Sequence, residues 1–356
     1  MGSLPEVEIL VLAGAFLIIL LGAELFTNGI EWFGRKLELA EGAVGSVLAA
    51  VGTALPETMI PIIAILLGGG SAESSGVGIG AILGAPFMLS TLAMFVTGVA
   101  VLVVGRGRPD RPSMPVDTTV LAHDMRYFGI AYAIAVGAAF LPLDPVWLKW
   151  IVAAVLIGIY GWYVKGHFEA DPTVDAEDLA PLRFRRLDPP GHAENPTVPR
   201  LRVVNLQVVA ALGFIVGGAY FFVGSVEHLA SSFGLDPALL ALVIAPIATE
   251  LPEKFNSVIW IRQGKDTLAM GNITGAMVFQ STIPTVVALL FASTAWHFTD
   301  GSRLAFASAG IAFLSSALIF IPMARAGRLT GRRLLVGGGF YLAYLLIVIA
   351  ALARII

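Results

Sequence analysis

The sequence predicts an all-α polytopic membrane protein: ten transmembrane helices arranged as two inverted five-helix repeats, with Pro- or Gly-broken spans 2, 3, 7 and 8 around an ion site at mid-membrane. Three observations carry this prediction. The 356 residues are 57% hydrophobic and only 13% charged, with a mean hydropathy of +0.85, a composition outside the range of soluble domains. The apolar runs are long and continuous, unlike the short alternating strands of a membrane barrel. The third observation is an internal repeat at a shift of 196 residues, described below.

Hydropathy places spans at about 7–30, 41–67, 77–104, 122–141, 145–165, 203–229, 237–261, 267–292, 303–323 and 334–354. Alternate connections carry eighteen basic residues, among them Arg35, Lys36, Arg106, Arg126, Lys165, Arg262 and Arg333. The opposite side has Lys149, Arg303 and Arg354, and Lys254 falls inside a span. This bias puts the basic side in the cytoplasm and both termini outside. The first run lacks the positive leader of a signal peptide and contains Glu24, so it reads as a span. The chain divides into 1–165, a cytoplasmic Pro-rich linker at 166–202, and 203–356.

Shifted by 196 residues, the halves align without a gap for about forty positions. Gly22 falls on Gly218, Phe26 on Phe222, Glu31 on Glu227, and Thr53-Ala-Leu-Pro-Glu57 on Thr249-Glu-Leu-Pro-Glu253. Five spans per half is an odd number, so the second half enters the membrane inverted. That architecture is typical of secondary transporters with a site at the repeat interface.

Glu57 and Glu253 each lie inside a run long enough to cross a bilayer. A carboxylate at that depth costs about 2.5–3.5 kcal/mol on insertion scales and by default marks a functional site. Pro56 and Pro252 deprive the carbonyls of Gly52 and Ala248 of their helical donor. With the hydroxyls of Thr53 and Thr249, these groups form a set of hard oxygens. Such a set suits Ca2+, which takes about 6–8 oxygen ligands, and also Na+. Glu250 lies one turn before Glu253 and supplies a third carboxylate. The metal-binding candidates are therefore Glu57, Glu253 and Glu250. The blander alternatives are helix capping, pairing with Lys254, and threonine back-bonding to its own helix. Spans 3 and 8 contain Gly78-Ile-Gly80, Gly84-Ala-Pro86 and Gly271-Asn272-Ile-Thr274-Gly275. Asn272 and Gln280 are candidate neutral ligands at membrane depth. Glu31 and Glu227 read as solvated or helix-end residues, and Glu24 has no evident role. His123, His228 and His297 lack metal-ligand spacing, the triple glycines at 68–70 and 337–339 read as turns and packing sites, and no nucleophile–base pair or HExxH motif is present. The absence of cysteine removes thiol chemistry. The chain is expected to be no enzyme and to need no cofactor. Its expected partners are inorganic cations and the lipid bilayer, with no nucleic acid.

These residues resemble a known family. Gly-Thr-Ala-Leu-Pro-Glu at 52–57 is similar to the Gly-Thr-Ser-Leu-Pro-Glu signature of the sodium/calcium exchangers, in the calcium:cation antiporter superfamily. Gly271-Asn272-x-x-Gly275 resembles that family's half-helix motif. The resemblance implies alternating access with Glu57 and Glu253 as the two key ligands, aided by Thr53 and Thr249. It also marks departures: Ala54 and Glu250 replace the signature serine, Ala85 and Ala276 replace later serines, and Leu89 and Gln280 stand where the motif ends in a polar ligand. Oxygens expected for sodium sites are thus missing. The expected activity is exchange of Ca2+ for Na+ or H+ across an inner or plasma membrane. A proton-coupled exchanger of another cation and a non-transporting sensor or scaffold are the alternatives.

Overall fold

The computed structural model describes residues 5–36, 54–103, 112–168, 179–188, 198–234, 257–258, 260–262, 264 and 266–353. Its elements are α1 (Pro5–Lys36), α2 (Leu55–Leu67), α3 (Ala72–Met88), a π-turn (Leu89–Ala93), α4 (Met94–Val103), α5 (Thr118–Gly137), α6 (Trp147–Phe168), α7 (Leu201–Phe233), α8 (Asp266–Phe291), α9 (Arg303–Ala326), α10 (Gly331–Leu334) and α11 (Val336–Ala353). Among the described residues, seven helices are long and apolar enough to cross a membrane, and α2 is a shorter apolar helix. Most of the span expected at 237–261 lies outside the described residues.

The helices sort by how much protein covers them. In the apolar window of α8, 83% of residues are buried, against 22% for α6. So α8 is a central helix, and α6 presents Trp150, Ile151 and Trp162 outward. Leu10, Leu17 and Leu21 of α1 and Val209 of α7 are exposed as well. Such apolar surface is stable when it meets lipid.

α1 and α7 pack along their lengths through small residues, which let two backbones approach closely. A Cβ on Gly22 would lie 2.8 Å from Ile215 Cγ1 and 3.0 Å from the carbonyl oxygen of Ala211. A Cβ on Gly218 would lie 2.7 Å from Ile19 Cγ1 and 3.0 Å from the carbonyl oxygen of Ala15. The register runs antiparallel, and each contact is the other shifted by 196 residues.

The turn after α2 uses Gly69 and Gly70 at φ 66° and 72°, where a side chain would be strained. Ser71 then caps α3 by accepting from the Ser74 N–H. Pro86 lies inside α3 and does not end it. The expected break in span 3 is instead the π-turn at 89–93. A π-turn disturbs the i→i−4 ladder and leaves carbonyls to be satisfied elsewhere. Hydroxyls supply the donors: Thr91 to the carbonyl of Phe87 and Ser315 to that of Ser90, both at 2.6 Å. Gly337 at the start of α11 sits against the carbonyl of Thr91, so the glycine run at 337–339 is a packing site.

Span 8 is also not broken at its glycines, because α8 stays helical from Asp266 to Phe291. A glycine inside a helix costs only about 1 kcal/mol, and burial on nearly every side holds the helix together. Beyond its end, Lys149 at the start of α6 donates from Nζ to the carbonyls of Ser293 (2.5 Å) and Trp296 (2.8 Å). Lys149 is buried. Its replacement by Met leaves two carbonyls without a charged donor, each worth about 1.5–3 kcal/mol. The Lys149→Met variant is expected to unfold several degrees below the wild type in a detergent thermal melt.

The described part of segment 166–202 is docked on α1 and α7. Asn28 Nδ2 and Trp32 Nε1 donate to the carbonyl of Ala180 at 3.2 and 2.9 Å. Gln207 Oε1 accepts from the Phe184 N–H at 2.8 Å. Arg183 reaches Glu24 at 2.8 Å, with both side chains more than half exposed. That accounts for Glu24 as a surface ion pair, worth at most about 1 kcal/mol.

Candidate cation site

Glu57 occupies the first turn of α2 and is buried, with 4% of its surface exposed. Pro56 sits at the first turn too, where its missing N–H removes no helical bond. This differs from the expectation that Pro56 interrupts a helix: among the described residues it starts one. A carboxylate at a helix N-terminus is favoured by the helix dipole, and here the helix end lies in the protein core.

The carbonyl of Ala54 joins this turn to α8. It accepts from the Thr58 N–H (3.1 Å), the Thr58 hydroxyl (2.7 Å) and Gln280 Nε2 (3.3 Å). Gln280 and Asn272 are each 1% exposed. The structure therefore brings Gln280 to the Glu57 turn. Asn272 lies about 12 Å along α8 from Gln280, eight residues at 1.5 Å each. Gly52, Thr53, Ala248, Thr249, Glu250 and Glu253 lie outside the described residues. Ala54, Ala85, Leu89 and Ala276 are fully packed, each 1% exposed or less.

Two prolines add to this geometry. Pro61 lies inside α2, four residues after Glu57, and Pro284 inside α8, four residues after Gln280. Neither has an N–H for the carbonyl four residues earlier. Glu57 and Gln280 thus each combine a buried side-chain oxygen with a backbone carbonyl that lacks its helical donor. Pro61 and Pro284 stand in plain view in the sequence, but their effect on Glu57 and Gln280 follows only once both prolines lie inside helices.

Asp124 was not anticipated at all. It is fully buried on α5 and receives three donors. Tyr163 Oη and His167 Nε2 of α6 lie 3.1 Å from Oδ1, and Thr274 of α8 donates to Oδ2 at 2.6 Å. The sequence signal was an aspartate within an apolar run, next to His123.

A cavity of 740 Å3 opens between α1, α2 and α7, around Glu8, Ser74, Ser225, Glu227 and His228. Ser74 donates to Glu227, and His228 Nδ1 lies 3.1 Å from Glu8. Ser225 Oγ is buried there with no hydrogen-bond partner among the described residues. Ile63 and Leu67 of α2 line the same cavity, so it lies about 9–15 Å beyond Glu57 along that helix.

Fold and site define a class: an integral, multi-pass helical membrane protein with a carboxylate and an amide gathered in its core. Comparison with known proteins makes this specific. The profile of the sodium/calcium exchanger protein family matches residues 7–166 and 204–352. The chain belongs to this family, whose members are membrane cation antiporters and not enzymes. It is 28% identical over 280 residues to the proposed antiporter CaxA of Alkalimonas amylolytica, covering 76% of each chain. It is 23% identical over 244 residues to the inner membrane protein YrbG of Escherichia coli K12, covering 67% of this chain and 66% of that one. Its fold is shared with the H+/Ca2+ exchanger CAX (TM-score 0.72, 14% identity, 95% of this chain and 82% of that one). It is also shared with the sodium-calcium exchanger NCX_Mj (TM-score 0.60, 17% identity, 94% and 98%).

Proposed function

We propose that this antiporter moves Ca2+ across the inner or plasma membrane in exchange for H+ or Na+, by alternating access to a site built on Glu57 and Glu253. The observation that carries this reading is the buried Glu57 carboxylate in the first turn of α2, a turn whose Ala54 carbonyl accepts from Gln280 of the central helix α8. Carboxylate, amide and carbonyl oxygens are the hard ligands Ca2+ prefers. Glu250, Thr53, Thr249, Gly52, Ala248 and Asn272 complete the proposed ion-binding set. The antiparallel, reciprocal packing of α1 on α7 supports two inverted five-helix repeats of a ten-helix protein, and the basic bias of alternate connections supports both termini outside.

H+ is the favoured counter-ion. Ala85, Leu89 and Ala276 are packed apolar groups at positions where the family resemblance expects oxygen, and the carbonyls of Phe87 and Ser90 at the π-turn are engaged by hydroxyls. Carboxylates that take protons when the cation leaves then provide the coupling. In proteoliposomes, Ca2+ flux is expected to follow an imposed pH gradient and to ignore sodium. Flux that requires sodium transfers the coupling to Na+. No cation flux at all supports a sensor or scaffold.

The cavity between α1, α2 and α7 is the proposed outer vestibule. Removing one of its carboxylates weakens cation capture by about 1 kcal/mol, or roughly fivefold. Glu227→Gln is expected to raise KM for external Ca2+ by that factor while leaving the maximal rate unchanged. An unchanged KM removes the vestibule assignment.

A further inference from the structure

We propose that His123, Asp124 and His167 form a binding site for a divalent transition metal, separate from the transport site. One ligand atom from each of the three lies within 4.8 Å of the others. Asp124 is fully buried and His167 nearly so, while His123 is partly exposed. The donor set decides the ion. Two imidazoles and one carboxylate suit Zn2+, Co2+ or Ni2+, whereas Ca2+ takes oxygen almost exclusively.

The spacing fits this chemistry. Ligand atoms around a tetrahedral zinc, with bonds of about 2.0–2.1 Å, lie about 3.3 Å apart. His167 Nε2 and Asp124 Oδ1 are already 3.1 Å apart. His123 meets His167 edge-on, with ring centres 5.4 Å apart, and packs on Tyr127 at 4.7 Å. With the three ligand atoms within 4.8 Å of one another, partly exposed His123 needs to move by no more than about 1.5 Å to reach tetrahedral spacing. A water molecule would supply the fourth ligand of a tetrahedral ion.

The surroundings are those of a supported ligand set. Thr274 fixes Asp124 through Oδ2 and Tyr163 through Oδ1. Hydrogen bonds of this kind orient metal-binding carboxylates and raise their affinity. In the metal-free form, the proton of His167 Nε2 occupies the position the metal would take.

The site is also placed to influence transport. Asp124 is on α5, His167 on α6 and Thr274 on α8. Gln280 follows Thr274 by six residues, about 9 Å along α8. A metal ion therefore ties α5 to α6 and, through the Asp124–Thr274 hydrogen bond, to the helix that carries Gln280. Binding is expected to hold α8 and slow exchange.

The test uses Co2+ and Zn2+ as probes on the purified full chain, in the presence of excess Ca2+. The Glu57→Gln variant separates this site from the transport site, so failure here is distinguishable from failure of the calcium reading. Expected are one Co2+ per chain with the visible spectrum of a tetrahedral centre, undiminished in Glu57→Gln. His123→Ala and His167→Gln, the latter keeping a donor toward Asp124, are expected to weaken binding at least tenfold without shifting the thermal melt. Zn2+ is expected to inhibit exchange by wild type and not by His123→Ala. Loss of the Co2+ signal in Glu57→Gln with retention in both histidine variants would place the metal in the transport site and overturn the proposal. Absence of stoichiometric binding by folded wild type overturns it too.

Discussion

Glu57→Gln is expected to reduce Ca2+ exchange by more than 100-fold while the protein still inserts and folds. The substitution keeps side-chain volume and one oxygen but removes the charge that balances the cation. Loss of one partner from a buried charge pair costs about 3–5 kcal/mol, and each 1.4 kcal/mol is a factor of ten. Gln280 cannot compensate, because it is neutral and its Nε2 is committed to the carbonyl of Ala54. Exchange assayed in proteoliposomes at matched protein density checks this. Glu57→Asp, which keeps the charge on a shorter stem, is expected to retain part of the activity. If Glu57→Gln transports at the wild-type rate, the ion does not bind at this carboxylate.

The second large effect concerns two adjacent glycines of α7 with opposite expected signs. A Cβ on Gly218 meets Ile19 and the Ala15 carbonyl at 2.7 and 3.0 Å, while a Cβ on Gly217 meets nothing within 4 Å. Gly218→Ala forces α1 and α7 apart, an overpacking cost of about 1–3 kcal/mol. Gly217→Ala removes helix-interior glycine and gains about 0.5–1 kcal/mol. Gly22→Ala is expected to match Gly218→Ala, because its contacts are the same under the 196-residue shift. Thermal unfolding in one detergent ranks the four proteins: Gly217→Ala above wild type, and Gly22→Ala and Gly218→Ala below it. Equal melting of the two α7 variants would contradict the close α1–α7 packing.

Much of the fold was legible because bilayer length and hydropathy are local properties. The runs that begin near 7, 77, 122, 145, 203, 267, 303 and 334 all became helices, with ends shifted by a few residues. α6 passes 165 and reaches Phe168, and that extension carries His167 into the Asp124 cluster. The cluster was invisible to spacing arguments because His167 lies one helix beyond His123 and Asp124, and Thr274 lies 150 residues from Asp124 on α8. Histidine without a neighbour at metal-ligand spacing looked inert until folding supplied one. The breaks in spans 3 and 8 were misplaced for a different reason. Glycine and proline reveal where a helix is weak, but neighbouring hydroxyls and burial decide whether it gives way. At Pro86 the helix continues and the ladder changes only at Leu89–Ala93. Glu57 and Gln280 were both singled out from sequence. The bond from Gln280 to the Ala54 carbonyl, which joins α8 to the turn that carries Glu57, was not, because it depends on the packing of α2 against α8.

The central claim is that the transported cation sits at Glu57. Crystals of the protein grown with Ca2+, or with Sr2+ as a heavier substitute, allow the ion to be located by anomalous scattering. The expected result is a peak about 2.3–2.6 Å from a Glu57 carboxylate oxygen, lost in Glu57→Gln. A bound ion elsewhere in the core, with no peak at Glu57, would contradict the account.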